Sequence, residues 1–389
     1  MKPQSLKHFS LLTIMTLSLS SCLSDCKSTV KPANPYLDPQ VIEEPQNEAP
    51  VAGAQADPLS SKQWSNDKLE LNTVWAKYKG TKRVKVAVIS SGVDYNHEDL
   101  RANILVNLKE NAKENPADLT PVNEKDEDGN SYVDDVVGYD FIEDDGYPFD
   151  QLGLGTAAAG IIGAVHENGK GIKGVASQVS IIPIKYIGPN GQANTANLLS
   201  SLKYALTQNA DIVFLHLANI SFNSENPLIA KTEKETMLAV LKDFTLKDVP
   251  VVVSAGNTGT DVQQNTSVVS AFAALPNVIV VTSVDQNDSR PFIANYGKQT
   301  VHTSAPGVEI FTTLPGNQYG SVTGTFASAA YVTGALALAI SEHFGRKDLK
   351  SIIGALLSTQ GSDDLNSSQQ HETLGGNRLN VAKFLKELE

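Results

Sequence analysis

Between Gly324 and Phe344 the chain reads GTFASAAYVTGALALAISEHF. A helix drawn through this stretch has apolar or small residues on every face, and a helix that is apolar all round belongs inside a protein. Ala327, Ser328, Ala329 and Ala330 keep its surface thin enough for neighbouring elements to come close. The apolar run is shorter than the roughly 20 residues that a bilayer demands, and Ser, Thr and Gly interrupt it. A membrane span is therefore the weaker alternative. The stretch predicts the central buried helix of a large α/β domain, with its amino end near Phe326 where such folds hold their ligands.

The rest of the chain supplies the layers to bury it. Val84-Lys85-Val86-Ala87-Val88-Ile89 is a β-branched run that predicts a buried strand. Further strands are expected at Ile181–Ile187, Ile212–Leu217, Val251–Ser254 and Val278–Thr282, with helical stretches at Thr156–Val165, Thr195–Gln208 and Lys231–Leu241 between them. Asp348–Leu357 and Val381–Leu388 read as closing helices. Strands alternating with helices imply an α/β fold of three layers: a mainly parallel, doubly wound sheet covered on both faces. A hydrophobic content of 41% and a charged content of 19% suit a full core. The net charge of −12 argues against a nucleic-acid partner.

The amino-terminal region reads differently. Lys2 and Lys7 precede an apolar run from Phe9 to Leu19, the pattern of an export signal. It ends in Leu19-Ser20-Ser21-Cys22, which resembles a bacterial lipobox. That resemblance implies lipidation of Cys22 and attachment to a membrane, with the protein exported and held at the bacterial cell envelope. Residue 23 after it is Leu, not Asp. Residues 23–56 carry Pro32, Pro35, Pro39, Pro45 and Pro50 with Glu43, Glu44 and Glu48, the composition of an extended tether. The expected division is thus a signal at 1–22, a linker at 23–56 and one domain at 57–389. The only two cysteines, Cys22 and Cys26, precede that domain, so no thiol chemistry is expected in it.

Several segments of the domain together resemble the subtilase family, the subtilisin-like serine proteases. They are the run from Val86 to Leu100 (VAVISSGVDYNHEDL), Gly153 to Gly163 (GLGTAAAGIIG), Val253-Ser254-Ala255-Gly256-Asn257, Tyr296-Gly297, Ala305-Pro306-Gly307-Val308 and Gly324 to Gly334 (GTFASAAYVTG). Active members use an Asp-His-Ser triad, in which Ser attacks a peptide carbonyl, His takes its proton and Asp stabilises the imidazolium. The resemblance puts Ser90 at the Asp position, Leu154 at the His position and Phe326 at the Ser position. Leu has no lone pair and Phe has no nucleophilic atom. In subtilisin itself, loss of the nucleophile or the histidine lowers kcat by on the order of 10⁶. The resemblance also matches Asn257 to the side-chain donor of the oxyanion hole, although Asn equally suits a tight turn.

These departures lead to the expectation of a pseudoprotease, with a peptide or protein ligand in the old substrate cleft or a purely structural role. The alternative is a hydrolase of the same family working with displaced residues. His97, His166, His216, His302, His343 and His371 are the candidate bases, and a His216–Ser90 pair is the one combination near the old pocket. Ser328 follows Phe326 by two residues and should face away from the cleft. The resemblance further implies a structural calcium site: side-chain oxygens of Asp57, Asp99 and Asn168, and carbonyls of Val165, Lys170 and Ile172. A second site seen in some members would use Asp140, Glu143, Asp145 and the Tyr147 carbonyl, but Phe149 stands where the last side-chain ligand is needed. Asp126-Glu127-Asp128-Gly129-Asn130, followed by Asp134 and Asp135, has the oxygen-rich spacing of a third loop.

Overall fold

The computed structural model describes residues 56–110, 124–218, 220, 227–263, 268–343, 348–365 and 373–389. The expected signal, the lipobox Cys22, nearly all of the linker and His371 lie outside them.

Two short helices, α1 (Trp64–Lys68) and α2 (Leu71–Trp75), precede β1 (Gly80–Ser90). Then follow β2 (Tyr139–Asp140), α3 (Leu154–Gly163), β3 (Gln178–Lys185), α4 (Thr195–Thr207), β4 (Ile212–Leu215), α5 (Pro227–Leu246), β5 (Val251–Ser254), α6 (Val268–Ala273), β6 (Val278–Val284) and β7 (Thr303–Pro306). A hairpin of β8 (Ile310–Leu314) and β9 (Gln318–Val322) leads into α7 (Thr325–His343), and α8 (Leu349–Leu357), β10 (Ser362–Asp364), β11 (Asn377–Leu379) and α9 (Val381–Leu388) close the chain. Among the described residues nine strands form one sheet in the order β10-β11-β7-β6-β5-β4-β1-β3-β2. Every pairing in it is parallel except β10 with β11.

Alternation along the strands builds a core on each face. Val86 and Val88 of β1, Phe214 of β4 and Ile279 of β6 join α3 and α7 in one apolar cluster. Ala87 and Ile89, Leu215 and Val280 join α4, α5 and α6 in another. This is the three-layer α/β fold expected from the pattern. Helix α7 is the buried axis: every residue from Thr325 to Ala339 is buried. It is long and apolar enough to cross a membrane, but 83% of its apolar window is buried inside the protein. Small residues allow the close contacts. A Cβ on Gly334 would lie 2.6 Å from Val175 Cβ, and one on Gly160 of α3 would lie 2.2 Å from Thr313 Oγ1.

The structure moves several expected boundaries, for local reasons. Helix α3 starts two residues early because Asp150 binds its first turn, accepting hydrogen bonds from the backbone N–H of Gly153 and Thr156. Beyond Leu215 the His216 N–H still reaches the Ile89 carbonyl of β1, but the following amides leave the ladder: Leu217 N–H donates to Ser254 Oγ and Ala218 N–H to the Tyr186 hydroxyl, so β4 ends early. Helix α5 is longer at both ends than expected.

Candidate functional site

Strands β1, β4 and β5 end side by side, at Ser90, Leu215 and Ser254. Chain order passes from β3 on one flank of β1 to β4 on the other. Such a reversal opens a crevice beyond the carboxyl ends of the strands. The amino ends of α3 and α7 close on the same place. A Cβ on Gly155 would meet Ser90 Cβ at 3.3 Å, and one on Gly324 would meet Asn257 Nδ2 at 3.1 Å and the Phe326 ring at 3.0 Å.

The crevice is filled from within. Ser90 Oγ lies 3.3 Å from His216 Nδ1. The His216 imidazole leans on the Phe326 ring, with centroids 5.3 Å apart and planes tilted by 33°. Ser90 and Phe326 are 0% exposed, Leu154 1% and His216 5%. Burial pushes the His216 pKa down to about 4, so the imidazole is neutral. A triad carboxylate acts in the opposite direction, because it favours the imidazolium. The Tyr186 hydroxyl donates to the His216 carbonyl and anchors the segment beyond β4.

Asn257 has a structural duty that neither sequence reading foresaw. Its Oδ1 accepts the Thr325 N–H at 3.0 Å, which caps α7 from outside the helix. The Nδ2 side remains next to Gly324 and the Phe326 ring. Ser328 does turn away, donating to the carbonyls of Ala305 and Pro306. The other described histidines of the core are held by backbone. His97 accepts from Asp99 N–H and pairs with the Gln318 carbonyl. His166 pairs with the Gly174 carbonyl, and His302 accepts from Val280 N–H. Burial lowers the pKa of both His166 and His302 to about 4.

Comparison with known proteins bears on the whole arrangement. The profile described as the subtilase family matches residues 81–372. This chain is a subtilase. It is 32% identical over 292 residues to the major intracellular serine protease of Bacillus subtilis (strain 168), covering 73% of this chain and 77% of that one. It is 27% identical over 295 residues to thermitase of Thermoactinomyces vulgaris, covering 76% and 88%. It is 29% identical over 276 residues to a thermophilic serine proteinase of Bacillus sp. (strain AK1), of which it spans only 56%. A crystal structure of a lanthipeptide protease superposes with a TM-score of 0.63 at 21% identity, covering 85% of this chain and 95% of that one, a likeness of fold.

Away from the crevice this subtilase gathers three sets of carboxylates. In the first, Asp57 and Asp99 are buried at 2% and 0% exposure. Asp57 accepts from the N–H of Glu167 and Asn168, and Asp99 accepts from Asn168 Nδ2 at 2.8 Å and Ile172 N–H at 2.9 Å. Burial, reinforced by the charge of Asp57, raises the Asp99 pKa to about 7. Gly171 permits this closeness: at φ +40° its Cβ would sit 2.4 Å from Asp99 Oδ2. So Asp57, Asp99 and Asn168 converge with the loop that carries Val165, Lys170 and Ile172. Two buried carboxylates side by side are oxygen donors of the kind a hard cation takes, whereas Asn168 turns its Nδ2 toward Asp99 and its Oδ1 accepts from the Lys170 N–H at 2.8 Å, so the amide oxygen expected as a ligand faces its own loop.

The second set is different. Lys185 Nζ lies 2.7 Å from Asp140 Oδ2, both side chains almost wholly buried. Asp140 Oδ1 accepts from the N–H of Ile142 and Glu143. An ammonium therefore stands against the carboxylate proposed from sequence as a calcium ligand, and Phe149 is 37% exposed. In the third set Asp126 is taken up by its own loop, accepting from the N–H of Gly129, Asn130 and Ser131. Glu110 arrives instead, unforeseen, beside Asp128 and Asp135. Asp150, also missed, accepts from Ser91 Oγ and from both the N–H and Oγ1 of Thr156. Its signal was an Asp three residues before the glycine that opens α3. Nothing in the sequence around Glu110 or Lys185 pointed to either pairing.

Proposed function

We propose that this subtilase is a membrane-anchored pseudoprotease, a binding or structural protein of the bacterial cell envelope that does not hydrolyse peptides. The observation that carries the reading is Phe326. Its ring is wholly buried against the His216 imidazole at the amino end of α7, the position where the family's nucleophile is expected. A phenyl ring offers no atom to attack a carbonyl, and Leu154 offers no base. The relatives named as proteases carry the activity, and this chain keeps their fold around an apolar plug. Any peptide or protein ligand would bind along the cleft above that plug. Cys22 supplies the lipid anchor, and residues 23–56 the tether. Calcium at Asp57, Asp99 and Asn168, with the carbonyls of Val165, Lys170 and Ile172, would pin loops and add stability by mass action without taking part in a reaction.

A second reading, a serine endopeptidase with displaced residues, draws on the 3.3 Å contact between Ser90 and His216. It requires a substrate carbonyl to reach a hydroxyl that is 0% exposed. The two readings part on one experiment: incubation of the full chain with an unstructured protein and with a fluorophosphonate probe. The pseudoprotease leaves the protein uncut and the probe unbound. Cleavage that disappears in Ser90→Ala or His216→Ala establishes the second reading and ends the first.

A further inference from the structure

One short segment shows two aromatic rings to solvent: Tyr147 is 46% exposed and Phe149 37%. A single exposed ring is ordinary, but two on one edge make a surface. The Pro148 carbonyl accepts the Val93 N–H at 2.9 Å, and the buried Asp150 accepts from Ser91 Oγ. These two residues clamp the segment against the chain beyond β1, which turns Tyr147 and Phe149 outward. A third ring stands behind them. Tyr95 is only 4% exposed and meets Phe149 edge to face, with centroids 6.1 Å apart and planes at 89°. Its hydroxyl has no hydrogen-bond partner among the described residues and lies within electrostatic reach of Tyr147 and Asp145. Burial, reinforced by Tyr147, Asp94 and Asp145, pushes the Tyr95 pKa up to about 12, so the hydroxyl keeps its proton. The same segment carries Glu143, Asp144 and Asp145, the first two exposed. Asp145 Oδ1 accepts the Tyr147 N–H at 2.9 Å, which leaves Oδ2 for a guest. Among the described residues no lysine or arginine pairs with these three carboxylates, and the ammonium at this corner, that of Lys185, is held by Asp140.

We propose that Tyr95, Tyr147, Phe149 and Asp145 form a docking surface for an arginine-bearing segment of a partner protein, with Glu143 and Asp144 extending its negative field. Rings beside uncompensated carboxylates are complementary to a cation with flat faces. Guanidinium is that group: it stacks on a ring and donates, in its own plane, to carboxylate and hydroxyl oxygens. An ammonium is a compact, strongly hydrated charge and gains less from the rings. The guanidinium lies on Tyr147 and Phe149 and donates to Asp145 Oδ2 and to the Tyr95 hydroxyl oxygen. The surface continues through Asp150 into the amino end of α3, so a docked segment runs toward the crevice that Leu154 and Phe326 fill. The proposal rests on the reading of this chain as a binding protein and gives that reading a partner class.

The test uses the full chain and a fluorescein-labelled hexapeptide of alternating glycine and arginine, with counterparts in which lysine or neutral citrulline replaces the arginine. Binding is read by anisotropy at fixed ionic strength. The arginine peptide is expected to bind, the lysine peptide about threefold or more weakly and the citrulline peptide not measurably. The deciding variant joins Tyr147→Ser with Phe149→Ser, which leaves the net charge of −12 unchanged. It should weaken binding about tenfold or more. Tyr95→Phe removes only a hydroxyl and should weaken it about threefold. Where circular dichroism shows the double variant unfolded, Tyr147→Ser alone takes its place. Equal binding by the parent and the folded aromatic variant overturns the proposal, because general attraction to an acidic protein then accounts for it. So does an arginine peptide that stays free at about 1 mM protein, or one that Ca²⁺ displaces at constant ionic strength, which would make this corner a metal site. A lysine peptide that binds equally well overturns the choice of arginine. Mass spectrometry of the recovered peptide separates the two readings: an intact peptide that fails to bind counts against this surface, and a cut peptide counts against the pseudoprotease.

Discussion

Around Phe326 the protein buries rings, methyl groups and a hydroxyl; around Asp99 it buries carboxylates. Both centres lie in the same layered domain and both are almost closed to solvent. They differ in what keeps them closed. A centre lined by Leu154, Phe326 and a neutral His216 is stabilised by the burial itself. A centre lined by Asp57 and Asp99 is opposed by burial until a proton or a cation neutralises it. The first depends on packing around an imidazole that stays neutral, and the second on a proton or cation taken from solution. Hydrocarbon of suitable volume at the crevice thus holds the layers together without any charged group.

The largest effect should come from emptying the filled centre. Phe326→Ala is expected to lower the unfolding free energy by about 3–5 kcal/mol, read from urea denaturation. A loss below about 1 kcal/mol would mean that the neighbours collapse into the gap and that the packing contrast is false. Removing cations should act on the other centre alone. With free calcium a hundredfold above its dissociation constant, chelation should remove about 2.7 kcal/mol per site. The melting temperature of the parent should fall, and that of Asp99→Asn should fall less. An equal fall in both would detach the effect from Asp99.

The two centres should also answer pH with opposite signs. In chelator, Asp99 titrates at about 7 in the folded protein, above its unfolded value of 3.8. Its contribution is fully present below that unfolded value and is lost as pH rises through about 7. His216 titrates at about 4, below its unfolded value of 6.5. Its contribution is present above 6.5 and is lost as pH falls through about 4. Urea midpoints at pH 4.5 and 7.5 separate them: Asp99→Asn should gain on the parent mainly at the higher pH and His216→Gln mainly at the lower. The smallest effect is expected at Asn257. Its replacement by Ala removes the acceptor that caps α7 and should cost about 1 kcal/mol. A far larger loss would make Asn257 part of the packed centre.

Much of this could be read from the chain before folding. The β-branched run of β1, the all-apolar α7 and the strongly two-faced α9 declare themselves through local periodicity. The hairpin of β8 and β9 turns on Pro315-Gly316-Asn317, a signal present in the sequence and overlooked. Strands β10 and β11 read Ser362-Asp363-Asp364 and Asn377-Arg378-Leu379 and carry no apolar alternation, so only tertiary pairing makes them strands. In the candidate site, Leu154 and Phe326 stand out because their motif neighbours are intact. The Ser90–His216 contact joins residues 126 apart, and only the sheet order makes it concrete. Glu110 and Lys185 were invisible because a buried charge is defined by what the fold sets beside it.

The pairing of Lys185 with Asp140 frees one acidic corner of the fold from any dependence on dissolved ions. A counter-ion that is covalently part of the chain cannot be diluted, exchanged or sequestered. The corner between β2 and β3 should hold its shape in mineral-poor and mineral-rich surroundings alike, leaving any sensitivity to hardness of the medium to the loops elsewhere.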